Sequence, residues 1–212
     1  MFNIDKYREI EEKIRFLGKK TEIIAISKNH PFEKIQTAIS QNIRIFGENR
    51  VQEALKKFGK TQEKQTKIEL HLTGPLQSNK VKQALDIFDV FHTLDRVKLL
   101  KEFAKHKEKL VEKTFFIQVN TGKEETKTGI YPEDLAEFLK LCKSLEIPNI
   151  RGLMCIPPID EDPKKHFSLL RDLAAEFNLD GLSIGMSSDY MSALEFNPLY
   201  IRLGTILFGK RA

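Results

Sequence analysis

Eight short apolar runs, each set off from the next by a stretch of helical period, constrain this 212-residue chain more than any other feature. They lie at 22–27, 43–46, 68–73, 87–93, 114–120, 150–156, 181–185 and 199–203. Short apolar runs bounded by turn residues suit strands buried on both faces of a parallel sheet. Between them, apolar residues recur three and four positions apart. Val51/Ala54/Leu55/Phe58, Val81/Ala84/Leu85/Phe88 and Leu135/Phe138/Leu139/Cys142/Leu145 are stripes of this kind, and they predict amphipathic helices. A further helix leads the chain, carried by Ile4, Tyr7, Ile10, Ile14 and Leu17 and stopped by Gly18. Pro31, Pro132 and Pro163 stand where helices would begin, the position at which proline is best tolerated. The pattern predicts an α/β fold, a (β/α)8 TIM barrel with an extra N-terminal helix; a doubly wound open sheet is the alternative. No Pro/Gly/Ser-rich linker divides the chain, so residues 1–212 are expected to form a single barrel domain.

The formal net charge is +5, but 35 Lys and Arg are offset by 30 Asp and Glu and spread along the chain. The densest basic stretch, 98–113, is interleaved with Glu102, Glu108 and Glu112, as on a solvated helix face. No nucleic-acid partner is expected, although mild basicity suits anionic ligands such as phosphates. Cys142 and Cys155 have no metal-ligand spacing to any of the five histidines, so both are expected to be buried thiols and no metal site is predicted. So few cysteines suit a reducing compartment. Met1-Phe2-Asn3-Ile4-Asp5-Lys6 lacks the apolar core of a signal peptide, and no stretch approaches the ~18 apolar residues that span a bilayer. The expectation is a cytoplasmic protein without a membrane partner.

In a barrel of this kind the site lies at the C-terminal ends of the strands. Lys28 closes the first run, Ile23-Ile24-Ala25-Ile26-Ser27. A lysine there can be partly desolvated and act as a neutral amine toward a carbonyl, or its head can simply snorkel to water. The loops after strands seven and eight are the usual phosphate site of such barrels. Here Gly185 and Gly204 allow close backbone approach, while Ser187, Ser188 and Thr205 offer hydroxyl donors or act as ordinary caps. In Leu199-Tyr200-Ile201-Arg202-Leu203 the period of two sets Tyr200 and Arg202 on one face. If Ile201 and Leu203 face the helices, Arg202 enters the barrel mouth and needs an acceptor, which could be Glu48, Asp189 or a ligand atom. Barrel closure would place strand eight beside strand one, so Arg202 and Lys28 can share a cavity. A lysine amine beside a phosphate site suggests a phosphorylated aldehyde held as an imine, either pyridoxal 5′-phosphate or a sugar phosphate.

Three motifs carry a family resemblance: Ile24-Ala25-Ile26-Ser27-Lys28, Phe46-Gly47-Glu48-Asn49-Arg50-Val51-Gln52-Glu53 and His71-Leu72-Thr73-Gly74-Pro75-Leu76-Gln77-Ser78-Asn79-Lys80. Three more follow in order: Gly152-Leu153-Met154-Cys155-Ile156-Pro157, Leu182-Ser183-Ile184-Gly185-Met186-Ser187 and Ile201-Arg202-Leu203-Gly204-Thr205-Ile206-Leu207-Phe208-Gly209. Together they span essentially the whole chain and resemble the pyridoxal phosphate homeostasis proteins. The resemblance implies a fold-type III barrel like the N-terminal domain of alanine racemases, with pyridoxal 5′-phosphate as cofactor. It implies that Lys28 forms the imine, that Ser187, Gly204 and Thr205 hold the phosphate, that Arg202 faces the pyridine nitrogen and that Asn49 lies near the ring. It implies a carrier that buffers the cofactor and supports its homeostasis, with apo forms of pyridoxal enzymes as partners and no assigned catalytic residue.

An arginine facing the pyridine nitrogen does not readily give up a proton, which weakens the ring as an electron sink. That favours a carrier over the alternative, a pyridoxal-dependent amino-acid racemase. Racemases with this barrel add a separate β-domain, for which a chain ending at Ala212 has no room; a monomer is expected. His71, His92 and Tyr200 are either proton donors or structural residues.

Overall fold

The computed structural model describes residues 1–59 and 67–209, so 60–66 and 210–212 of the expected 1–212 domain lie outside the described residues. Each apolar run overlaps one strand of a closed, wholly parallel barrel. The strands are β1 (Glu22–Ile26), β2 (Ile45–Glu48), β3 (Glu69–Leu72), β4 (Val90–Leu94), β5 (Thr114–Gln118), β6 (Ile150–Met154), β7 (Gly181–Ser183) and β8 (Tyr200–Leu203). β8 pairs with β1 from Glu22↔Tyr200 to Ala25↔Leu203, and this closure rules out the open sheet.

Helix α1 (Ile4–Phe16) precedes the barrel. Outside the strands follow α2 (Phe32–Ser40), α3 (Val51–Phe58), α4 (Val81–Leu85), α5 (Val97–Phe103), α6 (Lys107–Leu110), α7 (Leu135–Ser144), α8 (Pro163–Glu176), α9 (Tyr190–Leu194) and α10 (Thr205–Phe208). Pro163 opens α8, whose Asp162 cap accepts from the Lys164 amide. Pro132 begins a 3-10 turn before α7, and Pro31 precedes α2.

The period of two along the strands divides the apolar side chains into two layers. Ile24, Ile26, Val90, Phe116, Met154 and Tyr200 fill the barrel interior. Ile23, Ala25, Phe46, Ile201 and Leu203 face outward into the larger core shared with the helices. Ile201 and Leu203 thus meet the helices as expected, and Arg202 points inward.

Three expectations need correction. Ile43, Ile87 and Phe88 are buried but precede their strands, because a helix-to-strand turn can bury side chains without joining the ladder. Leu17 follows the end of α1 and is 43% exposed, off the buried stripe of Tyr7, Ile10 and Ile14. The stretch 98–113 is not one helix: a 3-10 turn at Ala104–His106 separates α5 from α6.

The leading helix is tied to the last one. The Asn3 amide donates to the Leu207 carbonyl at 2.8 Å, and the Phe2 ring packs edgewise on Phe208 at 5.1 Å. Lys34 Nζ donates to the Phe208 carbonyl. These contacts hold α10 against the barrel's C-terminal end, where β8 delivers Gly204 and Thr205.

Candidate cofactor-binding site

At the C-terminal end of the strands a cavity of about 330 Å³ opens between the loops after β1, β2, β7 and β8. Its lining includes all six of the residues Lys28, Asn49, Ser187, Arg202, Gly204 and Thr205. It also includes Ile26, His30, Thr73, Ile156, Met186 and Ser188. Of these, Ser188 is the hydroxyl donor read from the sequence, and Ile26, Thr73, Ile156 and Met186 lie within the motifs that carry the family resemblance. His30 could have been found two positions after Lys28; the part of Ile156 and Met186 as cavity walls comes from the closure of the barrel.

The Lys28 loop is held from behind. Glu48 and Phe46 alternate with Gly47 on β2, so Glu48 points outward toward α3, and it is fully buried. Its Oε1 accepts from Ser27 Oγ at 2.6 Å and from Lys57 Nζ at 2.8 Å. Lys57 also binds Glu53 at 2.6 Å and donates to the Ser27 carbonyl at 2.7 Å. Glu53 in turn accepts from the Asn29 amide at 2.5 Å, where the backbone is left-handed (φ 60°). Both chain neighbours of Lys28 are therefore fixed by one ionic cluster. Burial pushes the Glu48 carboxyl above its ordinary value, against the opposing pull of Lys57.

Arg202 has neither carboxylate as its acceptor. Glu48 is committed to Lys57 and Ser27, and Asp189 accepts from the Met186 amide. The guanidinium instead donates from Nη1 to the Ser183 carbonyl (2.6 Å) and Oγ (2.8 Å), and from Nη2 to the Cys155 carbonyl (2.9 Å). Burial lowers its pKa, yet an arginine remains charged. Neutral acceptors orient the positive charge without cancelling it.

Asn49 is set by its neighbours as well. Its Oδ1 accepts from Thr73 Oγ1 at 3.0 Å. A Cβ at Gly74 would lie 2.5 Å from the Asn49 carbonyl oxygen and 2.6 Å from its Cβ, so only glycine lets the loop after β3 press so closely.

At the opposite corner the loops after β7 and β8 converge. Ser187 Oγ accepts from the amides of Gly204 and Ile206 at 3.3 and 3.4 Å, so two N–H groups and a hydroxyl meet at one point. Gly185 makes the turn possible: its φ is +86°, and a Cβ there would lie 2.6 Å from that of Ala193. Gly204 differs, since an added Cβ would make ordinary contacts at 3.5 Å and beyond. The protein around it does not demand glycine.

His71, His92 and Tyr200 do not line the cavity. They lie deeper in the barrel, with both imidazoles fully buried and the Tyr200 ring edge-on to each of them. The site therefore receives no proton donor from them directly. Cys142 and Cys155 are buried free thiols, each pushed up to about 12 by burial. Among the described residues no helix is long and apolar enough to cross a membrane.

The cavity fits a phosphorylated ring aldehyde in size and chemistry, with anion donors at one end, an amine and a guanidinium within it, and Ile26, Ile156 and Met186 as apolar walls. Comparison with known proteins agrees with this chemistry. The family model for the N-terminal domain of alanine racemase matches residues 5–212. A pyridoxal phosphate homeostasis protein of Aquifex aeolicus is 40% identical over 202 residues, covering 89% of this chain and 86% of the relative. PipY of Synechococcus elongatus PCC7942, solved without PLP, superposes with a TM-score of 0.88 at 33% identity, over 97% of this chain and 99% of PipY. The same protein solved with PLP bound gives a TM-score of 0.81 at 35% identity, over 90% and 93%. The chain belongs to the alanine racemase N-terminal-domain family, among the pyridoxal phosphate homeostasis proteins.

Proposed function

We propose that this protein binds pyridoxal 5′-phosphate in the barrel-mouth cavity and carries or buffers it for the homeostasis of the cofactor in the cytoplasm. One observation carries the reading: Lys28, Arg202 and the Ser187/Gly204/Ile206 donor cluster converge on a single cavity of about 330 Å³. The bound form of PipY supports it.

In this reading Ser187 Oγ, the Gly204 and Ile206 amides and Thr205 hold the phosphate at the N-terminus of α10. Arg202 faces the pyridine nitrogen and keeps it unprotonated, while Asn49 bounds the ring. When bound, the cofactor would supply a reactive aldehyde, and Lys28 would present the amine that tethers it. The ionic cluster around Lys57 holds Lys28 in place for this. The described residues act as one barrel domain, the protein works as a monomer, and apo forms of pyridoxal enzymes are its recipients.

Purified protein mixed with pyridoxal phosphate should absorb in the visible, lose that band on borohydride reduction, and carry the label on Lys28. A protein that stays colourless with added cofactor would sink the reading. The likeness to the alanine racemase domain favours a second reading, an amino-acid racemase or related enzyme. Exchange of an amino acid's α-hydrogen with deuterated solvent, abolished by Lys28→Ala, would establish it instead.

A further inference from the structure

Beneath Arg202 an unbroken file of hydrogen bonds runs down the barrel. Arg202 Nη1 donates to Ser183 Oγ at 2.8 Å, which lies 2.9 Å from His92 Nδ1. His92 Nε2 is 2.8 Å from His71 Nδ1, and His71 Nε2 is 2.7 Å from Glu69 Oε1. Ser183, His92 and His71 are fully buried, whereas the Glu69 side chain is 43% exposed. Glu69 begins β3, at the end of the barrel opposite the cavity.

With one proton on each imidazole, the two ends set a single direction for the whole file. A guanidinium only donates, so Ser183 Oγ accepts from Arg202, and the acceptor within reach of its own hydrogen is His92 Nδ1. His92 therefore carries its one proton on Nε2 and donates to His71 Nδ1. His71 by the same step carries its proton on Nε2 and donates to the Glu69 carboxylate. The reverse direction would strip the buried Ser183 hydroxyl hydrogen of its acceptor, a costly state. Burial, with the nearby Arg202 charge, holds the His92 pKa well below its ordinary value, in keeping with a neutral ring. The hydrogen bond from His71 holds the Glu69 carboxyl down. The other groups facing the file are Tyr200, edge-on to both imidazoles, and Phe116, stacked on His92 at 4.8 Å. The charged groups acting on its lower end are Glu22 and Lys67, beside Glu69, and Arg151, beside Tyr200.

We propose that Ser183, His92, His71 and Glu69 are positioning residues for Arg202, joined in a relay polarised from Arg202 to Glu69, so that a change of donor or charge at the barrel floor is felt at the pyridine end of the cavity. The proposal rests on the reading that Arg202 faces the pyridine nitrogen of the bound cofactor. Glu69→Lys exchanges the terminal acceptor for a donor. Each imidazole must then move its one proton from Nε2 to Nδ1, and Ser183 Oγ becomes an acceptor from both His92 and Arg202.

Two measurements test this. In ¹⁵N-histidine-labelled protein without cofactor, both rings should be neutral Nε2–H tautomers at neutral pH. Both should become Nδ1–H in Glu69→Lys and keep the wild-type state in Glu69→Asp. In protein loaded with pyridoxal phosphate, Glu69→Lys should move the midpoint of the cofactor's spectral pH titration by at least ~0.5 unit, about threefold in proton affinity. The same substitution in a Ser183→Ala background, where the file is cut, should leave the midpoint in place. Nδ1–H tautomers in the wild type, tautomers unmoved by Glu69→Lys, or equal midpoint shifts with and without Ser183 would each overturn the proposal. A wild type with no cofactor band overturns the proposed function and the coupling together, whereas a band indifferent to Glu69→Lys overturns the coupling alone.

Discussion

Lys57 Nζ stands 2.8 Å from Glu48 Oε1 with the two side chains only 9% and 0% exposed, and this buried pair anchors the loop that presents Lys28. Desolvation of Glu48 outweighs this one attraction, and the cluster offsets part of that cost because Lys57 also takes the Ser27 carbonyl and Glu53, and Glu53 takes the Asn29 amide. Removing one partner of such a pair strands the other charge without water. Lys57→Met should cost about 3–5 kcal/mol of stability, read as a lower midpoint in urea unfolding. It should also slow or weaken attachment of pyridoxal phosphate to Lys28. Unchanged stability would mean that Glu48 is carried protonated and the cluster is not ionic.

Asn49 reaches its place only because Gly74 has no side chain, as a Cβ there would lie 2.5 Å from the Asn49 carbonyl oxygen. Gly74→Ala must push the two loops apart, and overpacking of this kind costs about 1–3 kcal/mol. Cofactor affinity should fall as well, since Asn49 lines the cavity that the displacement widens. Titration with pyridoxal phosphate, followed by absorbance, would show whether stability and binding fall together; a loss of stability with full binding would remove Asn49 from the site.

Ser187 joins the β7 and β8 loops at the donor corner. Hydrogen bonds to charged groups contribute about 1.5–3 kcal/mol each, so Ser187→Ala should weaken cofactor binding roughly 10- to 100-fold. Equilibrium dialysis against pyridoxal phosphate measures this, and pyridoxal without its phosphate supplies the control. If both ligands weaken equally, the phosphate lies elsewhere.

The barrel was legible because its strands are buried on both faces and its helices on one, which writes two different periods into the sequence. The same rule placed Ile201 and Leu203 outward and Arg202 inward. It would also have separated Glu48 from Arg202, because Glu48 shares its strand face with Phe46, toward the helices. The choice of partners was not legible in this way. Ser183 and Cys155 offer backbone carbonyls, which no residue type advertises, and these satisfy the guanidinium. His71 and His92, read as isolated residues, join one file because β3 and β4 are neighbours, and Ser183 reaches them across the barrel interior. Contacts across a closed barrel depend on register and stagger, which the spacing of residues along one strand does not encode.

Glu69 gives the stability of the protein a dependence on pH whose sign can be worked out. Its carboxyl is held below its ordinary value of 4.5, chiefly by the hydrogen bond from His71. The folded state therefore binds the proton less readily than the unfolded chain, and stability rises with pH across the interval between the two values. The contribution is complete above the unfolded value and is lost as pH falls from about 4.5 through the lower folded value. Glu69→Gln removes it, so stability should fall at neutral pH and approach the wild-type value at the acid end, which leaves a flatter acid limb below about pH 5. The effect should stay under about 1 kcal/mol, because the side chain is 43% exposed and water screens the interaction. Thermal unfolding of both proteins from pH 3 to 7 would decide it: superimposable acid limbs would show that the carboxylate is not stabilised by His71 in the fold.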